Sequence, residues 1–306
     1  MEFSLVMSDR LIGAVFVVIS AASFGSMAIF GVWAHDDGVD TPTVLFVRFF
    51  AASLILAAVQ YARGIPMPAL KWCGAVAAMG GIGYVGQSYC YFLALEHADA
   101  SLVALLLYLF PAFVAVLAAV FLNERIGAVT AGALALALIG TALVVGGGSG
   151  EFLGYALAIG AAVIYSIYIT VGSVATDGLD AMAVSTVVCT AAAVVTGGIV
   201  LARFVAGEPA SLPESSRGWL SLVAIAVICT AIAIMAFFAG MARLGATTTS
   251  VMSTLEPVVT VGLATWLLNE SLSAVQGIGA VVVILAVIAL ALSHRPVAVQ
   301  QSATPI

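Results

Sequence analysis

The sequence predicts an all-α integral membrane protein with ten transmembrane helices, arranged as two inverted five-helix repeats around a central cavity. Three observations predict this. Of the 306 residues, 63% are hydrophobic and only 8% are charged, whereas a soluble domain is roughly 25% charged and 45–50% apolar. The apolar residues come in long runs, and about 20 residues rising about 1.5 Å each cross the roughly 30 Å of hydrocarbon in a bilayer. Finally, one frame occurs twice: "LFPAFVAVLAAVFLNE" at 109–124 returns as "LEPVVTVGLATWLLNE" at 255–270, which places Pro257 and Glu270 each 146 residues after Pro111 and Glu124.

In chain order, apolar runs broken by charge and turn clusters give helices at about 10–34, 42–62, 70–95, 99–122, 127–147, 152–174, 180–205, 217–242, 247–268 and 274–293. The runs are continuously apolar, as spanning helices require, whereas barrel strands would alternate. The first begins after Arg10 and reaches Trp33, too far for the roughly 7–15-residue core of a secretion signal, so it is expected to be a retained span. Residues 10–147 form the first repeat, 148–151 a glycine-rich linker, 152–293 the second repeat and 294–306 a polar tail. A second echo, "HDDGVD" at 35–40 and "ATDGLD" at 175–180, follows the first span of each half. An odd number of spans per repeat turns the second half upside down in the membrane. Carriers use that arrangement to expose one central site alternately to the two faces.

Ten spans place both termini on one side, and basic residues decide which. Arg10, Arg63, Lys71, Arg125, Arg243 and Arg295 fall on the side of the termini, against Arg203 and Arg217 opposite. Both termini are therefore expected in the cytoplasm, with the chain a multi-pass protein of a bacterial inner (plasma) membrane. Nine Lys and Arg scattered singly make no basic stripe for phosphates, which excludes nucleic acid as a partner. Cys73, Cys90, Cys189 and Cys229 lie inside apolar runs without a CxxC, and His35, His97 and His294 lie at helix ends or in loops. Neither metal, cofactor nor enzyme chemistry is expected from them. The expected partners are a small-molecule substrate and membrane lipid, with the chain acting as a monomer.

Polar groups inside a span are costly unless they face a cavity or a partner, so their helical phase points to the cavity. Tyr84, Gln87, Ser88 and Tyr91 fall at i, i+3, i+4 and i+7 of the third helix, one continuous stripe. Glycines 80, 81, 83 and 86 beside it allow a neighbouring helix to come close. Hydrogen bonding between helices would explain any one of the four polar residues; four on one face favour a cavity. Thr249, Ser253, Glu256 and Thr260 form a second stripe on the ninth helix. Pro257 there leaves the Ser253 carbonyl without its helical donor, and that carbonyl beside Glu256 suits an ammonium group. The competing reading is a glutamate near the helix end that simply reaches water.

Tyr165 and Tyr168 in the sixth helix and Tyr108 in the fourth offer apolar faces with a hydroxyl at the tip. Tyrosine also populates interfacial belts, but Tyr165 and Tyr108 fall near mid-span, which favours the cavity. Met27 and Phe237 suit cavity lining and core packing equally. Pro111 and Pro257 are expected to bend their helices. Arg48, which has Val188 at the matching position of the second half, is expected to snorkel and pair with Asp36, Asp37 or Asp40 in preference to touching substrate. Glu124 and Glu270 are either gate partners or caps at the N-terminus of the helix that follows each, with capping preferred.

The stretches "LFVRFFAASLIL" at 45–56, "YCYFLALEHADASLVALLLYLFPAFVAVLAAVFLNE" at 89–124 and "GALALALIGTALVV" at 132–145, with a second copy over 238–292, resemble the EamA domain of the drug/metabolite transporter superfamily. Within it the chain is similar to bacterial YddG-type exporters of amino acids. The resemblance implies a secondary transporter that exports small amphipathic solutes, amino acids including aromatic ones foremost, by alternating access. The alternative it leaves is a multidrug or lipophilic-cation exporter, for which Glu256 and the tyrosines would supply charge and cation–π attraction. Nucleotide sugars would need a cluster of intramembrane Lys or Arg for their phosphates, and only Arg48 is available.

Overall fold

The computed structural model describes residues 2–121, 127–146, 150–176, 178–244, 249, 252–253 and 255–293. Among these every regular element is helical, and the helices fall within a few residues of the apolar runs. In chain order they are α1 Glu2–Gly25, α2 Met27–Asp36, α3 Thr41–Ala62, α4 Leu70–Ala78, α5 Val85–Ala94, α6 Ala100–Leu107, α7 Phe110–Phe121, α8 Ala128–Gly146, α9 Phe152–Ala175, α10 Ala181–Val205, α11 Ser216–Ala226, α12 Ala233–Leu244, α13 Leu255–Leu267 and α14 Ala274–Ser293. Among the described residues six segments are long and apolar enough to cross a membrane: Leu11–Asp36, Thr41–Ala62, Ala100–Phe121, Phe152–Gly172, Ala181–Val205 and Ser216–Leu244. The outward side chains are apolar, among them Ile82 and Trp266 at 76% exposure and Leu138 at 65%. Water would not tolerate so wide an apolar surface, and lipid would.

Several runs are interrupted, each for a local reason. Ser26 separates α1 from α2 at a Gly-Ser pair, a common site of helix kinks. The fourth run breaks between Leu107 and Phe110 because Pro111 cannot donate to the carbonyl four residues earlier. A six-residue π-helical turn joins α4 to α5 over Met79–Tyr84, and another joins α11 to α12 over Val227–Ile232. The second turn begins 148 residues after the first, close to the spacing of the duplicated frame. Such turns shift the helical register and often sit at functional sites.

Helices from the two halves of the chain pack against each other: α1 on α12, α3 on α10, α5 on α9, and α8 on α14. The last pair touches backbone to backbone, since a Cβ added at Gly140 would lie 2.9 Å from the Gly279 carbonyl oxygen and one added at Gly279 2.7 Å from that of Gly140. Small residues at such crossings replace the hydrophobic drive that lipid removes.

The echo at 35–40 and 175–180 is a turn followed by a cap. Gly38 and Gly178 adopt φ of +81° and +72°, the left-handed region that glycine enters without strain. Two residues on, Asp40 accepts from the Thr43 N–H at 3.1 Å, and Asp180 from those of Met182 and Ala183 at 2.8 and 3.1 Å. At the Asp40 end of the array, Arg203 pairs with Asp40 and with Glu208, the latter at 3.2 Å, while Arg217 reaches Asp36 at 4.0 Å.

Asp37 accepts from the Ser215 backbone N–H at 2.9 Å. Hydrogen bonds from the Ser215 hydroxyl and then from this N–H hold its carboxyl below the usual 3.8. A depressed folded-state value means that the tie is complete above the unfolded value of about 3.9 and is lost as pH falls through the folded one. Asp37→Asn is therefore expected to melt below the wild type at pH 7 in detergent, with the gap narrowing as pH falls below the unfolded value; a gap that does not narrow there would contradict this tie.

Candidate functional site

A row of aromatic rings runs between the two halves. It begins at Phe49 on α3, whose ring centroid lies 5.2 Å from that of Tyr84 at the end of the first π turn. Tyr84 stacks on Tyr168 of α9 at 5.7 Å, and Tyr168 on Tyr165 at 6.0 Å. Tyr165 meets Phe110 edge-on at 4.8 Å, and Phe110 meets Tyr108 at 5.8 Å. Gly83 eases the approach of α9 here, since a Cβ there would stand a tight 3.3 Å from the Tyr168 ring. Tyr84, Tyr165, Tyr168 and Phe110 each retain some accessible surface. Rings in such series suit a flat apolar solute.

The row ends at a carboxylate. Pro257 stands in the first turn of α13 beside Glu256, and the carbonyl it frees at Ser253 accepts the Tyr108 hydroxyl at 2.7 Å. The expected free carbonyl thus exists, but Tyr108 occupies it. The Glu256 carboxyl lies beside the same hydroxyl, whose single proton cannot serve both acceptors. Among the described residues no basic group lies within ion-pair distance of Glu256, although Tyr84, Tyr91 and Tyr165 are near enough to feel its charge.

The opposite end holds Arg48, and here the structure corrects the expected pairing. Asp36, Asp37 and Asp40 are engaged by Arg217, Ser215 and Arg203, so the loop carboxylates serve the 203–217 segment. Arg48 is instead 3% exposed and held by neutral groups. Its Nε donates to Thr230 Oγ1 at 3.1 Å, Nη1 to Ser88 Oγ at 3.4 Å and Nη2 to Tyr84 Oη at 2.9 Å. Tyr84 belongs to one π turn and Thr230 to the other, so the two turns hold the same guanidinium.

The remaining expected residues divide. Gln87 is buried and takes the Ser88 hydroxyl at 3.2 Å, and Tyr91 is buried against Phe92 at 5.6 Å. Met27 is buried in the main core, and Phe237 meets its neighbour Phe238 at 5.7 Å, its one ring contact among the described residues. Thr260 departs from its expected cavity role, because its hydroxyl lies 2.7 Å from the Gly25 carbonyl oxygen and 3.1 Å from that of Glu256. It fastens α13 to the end of α1. Thr249 is buried. Glu270 caps a helix, but not the one after it: its two oxygens accept from Ala100 and Ser101 at 2.8 and 3.0 Å, the start of α6 in the other half. Asn269, at φ +55°, turns the chain back to bring it there, as Asn does at helix ends. Glu124 lies outside the described residues.

Phe110, Phe49 and Thr230 were not among the expected site residues. Phe110 stands between two that were, and its one-residue separation from Pro111 was the available signal. Thr230 lies inside a π turn, where helical phase gives no guide.

The family model described as the EamA-like transporter family matches the chain twice, over residues 11–146 and 152–292. The "Uncharacterized transporter YcbK" of Bacillus subtilis (strain 168) is 25% identical over 282 residues, covering 87% of this chain and 88% of that protein. A solved crystal structure superposes with a TM-score of 0.64 at 22% identity, covering 94% of this chain and 97% of that one; it speaks to the fold alone.

Proposed function

The chain belongs to the EamA-like transporter family, and on that premise we propose that it is a secondary carrier exporting amino acids, aromatic ones included, across a bacterial inner membrane. The observation that carries this reading is the aromatic row ending at Glu256. The rings enclose a flat side chain, and the carboxylate receives an ammonium group. A lipophilic cation would satisfy the same carboxylate and rings and is the second reading. The supporting experiment is uptake into proteoliposomes of labelled amino acids and of a cationic dye, with and without imposed pH and voltage gradients. Saturable uptake of phenylalanine or tryptophan but not of the dye is expected; the reverse would sink the amino-acid reading.

We further propose that the ten helices form two inverted repeats with both termini cytoplasmic, as the basic-residue distribution favours. The paired family matches, the cross-half helix packing and the two π turns at matching positions support this. In that frame the Glu270 end of the array faces outward, and its contact with α6 is an outer gate. Charge at a helix N-terminus and the loss of two such bonds are together worth roughly 1–2 kcal/mol. Glu270→Ala is expected to lower stability by about that amount and to raise labelling of the site from the outer face. Labelling that stays at the wild-type level would dismiss the gate and leave a cap.

A further inference from the structure

The 96–101 turn between α5 and α6 is clasped from three sides. Glu270 holds the start of α6. Glu151, just ahead of α9, meets His97 Nδ1 at 3.0 Å and donates its backbone N–H to the His97 carbonyl at 3.0 Å. The third clasp joins the turn to the first repeat. Thr41 Oγ1 lies 2.7 Å from Glu96 Oε1 and 3.4 Å from His35 Nε2, while His35 Nδ1 lies 2.9 Å from the Val39 carbonyl oxygen and 3.5 Å from Glu96 Oε1. Thr41 is 3% exposed and the His35 side chain 13%, whereas that of Glu96, at 34%, opens to solvent.

These contacts need one proton more than the groups ordinarily carry. A carbonyl oxygen only accepts, so His35 Nδ1 bears a proton. The two links from Nε2 through Thr41 to Glu96 then need two protons, and the threonine hydroxyl brings one. The other sits on Nε2, as an imidazolium beside a carboxylate, or on Glu96, as a carboxylic acid beside a neutral imidazole. Either arrangement holds one proton beyond a neutral histidine with an ionised glutamate. Without it two acceptors face each other across one link, which is costly where water is scarce. The Val39 carbonyl is committed to His35: Thr43, whose hydroxyl would ordinarily bond back to the carbonyl four residues earlier, keeps a buried oxygen without a partner.

The other charged groups around α2 are engaged elsewhere. Asp36 faces Arg217 of α11, Asp37 accepts from Ser215 beside Glu214, and Asp40 pairs with Arg203 of α10, which Glu208 shares. Arg48 of α3 is held by Thr230, Ser88 and Tyr84, Glu270 after α13 caps α6, and Asp99 stands immediately before that helix. Glu2, Asp9 and Arg10 lie at the far end of α1. Among the described residues Glu96 is the one carboxylate within ion-pair distance of His35.

We infer that His35, Thr41 and Glu96 form a proton-binding site that locks the outer end of the carrier. With the proton held, the first repeat grips the 96–101 turn, to which Glu151 and Glu270 also tie the second repeat. With the proton released, the grip of the first repeat fails and the turn is free to part from α2 and α3. Acid at the outer face therefore holds that face shut, and alkali eases it open. Histidine suits the task because it is the side chain whose charge ordinarily changes near neutral pH. A closing step that takes up one proton shifts the closed-to-open ratio by at most about tenfold per pH unit. The outer placement of this end rests on the inverted-repeat carrier reading above; the proton count does not.

The test uses the full-length protein in proteoliposomes, with Tyr165→Cys as reporter after removal of the native cysteines and equal pH on both sides. A membrane-impermeant maleimide is applied to one face at a time, and the outer-face rate divided by the inner-face rate cancels the thiol's own response to pH. From about pH 8 to pH 5 this ratio should fall about tenfold. His35→Gln should flatten the response. Thr41→Val, which keeps the imidazole and the carboxylate and removes the hydroxyl between them, should flatten it too. A Thr41→Val protein as responsive as its parent, or a parent whose ratio ignores pH, overturns the proton lock while labelling from both faces upholds the carrier reading. Labelling from one face only at every pH contradicts the carrier reading instead, and melting in detergent then decides the proton site. A proton held more tightly by the folded chain stabilises it at low pH and is lost as pH rises, so the gap between wild type and Thr41→Val should widen as pH falls. A gap that stays constant overturns the site.

Discussion

Glu256→Gln is expected to lower the initial rate of amino-acid transport in proteoliposomes about thirtyfold or more, because removing one member of a buried charge contact costs roughly 2–5 kcal/mol. The substitution keeps the shape and one acceptor oxygen, so the Tyr108–Ser253 bond beside it should survive. Loss of rate then reports the charge and not a collapsed helix bend. The loss should fall on solutes that carry an ammonium group and spare 3-phenylpropionate. Any acceleration that an imposed pH gradient gives the wild type should also vanish in the variant, since Glu256 is the carboxylate of the aromatic row. An unchanged rate in Glu256→Gln would remove this residue from the site.

The second large effect is on folding and concerns Gly80. A Cβ at this position would collide with the backbone carbonyl oxygen of Val188 and stand 2.8 and 2.9 Å from its Cα and carbonyl carbon. A flexible side chain could move aside, but backbone inside a helix cannot, so the π turn must separate from α10. Overpacking of this kind costs roughly 1–3 kcal/mol for a methyl group, and Gly80→Leu should exceed it. Gly74 provides the control: it lies in α4, and an added Cβ meets nothing within 4 Å. Gly74→Ala should be neutral or slightly stabilising, by about 1 kcal/mol at most, because alanine is the better helix former. Gly80→Ala should also weaken transport, since the same turn carries Tyr84 and hence one edge of Arg48. Equal melting temperatures for the two alanine variants would contradict the close approach.

Much of the helix plan was legible because lipid imposes a length and a composition that few other constraints can imitate. The echo around Asp40 and Asp180 was legible for a different reason: the glycine two residues ahead of an aspartate is a local backbone rule, and such rules are written in adjacent residues. Relations across the chain were less visible. Sequence proximity pairs Arg48 with the nearest aspartates, while the structure gives those aspartates to Arg203, Ser215 and Arg217, which come near only when the helices assemble. Glu270 was placed on the following helix and caps α6 instead, since a cap supplied from the other half leaves no local signature. Helical phase found the Tyr84–Tyr91 stripe but also nominated Thr260, whose hydroxyl meets a neighbouring backbone; phase reports which face a residue occupies, not what lies against that face. Thr230 escaped because a π turn breaks the periodicity from which phase is read.

In a carrier of this kind one site along the Tyr84–Tyr168–Tyr165 row should be reached from each side of the membrane in turn. Tyr165→Cys in a background lacking Cys73, Cys90, Cys189 and Cys229 tests it most directly, using a membrane-impermeant maleimide applied to one face at a time. Modification from either face, slowed severalfold by phenylalanine in both cases, is expected. Modification from one face only, or at a rate that phenylalanine leaves unchanged, would contradict it.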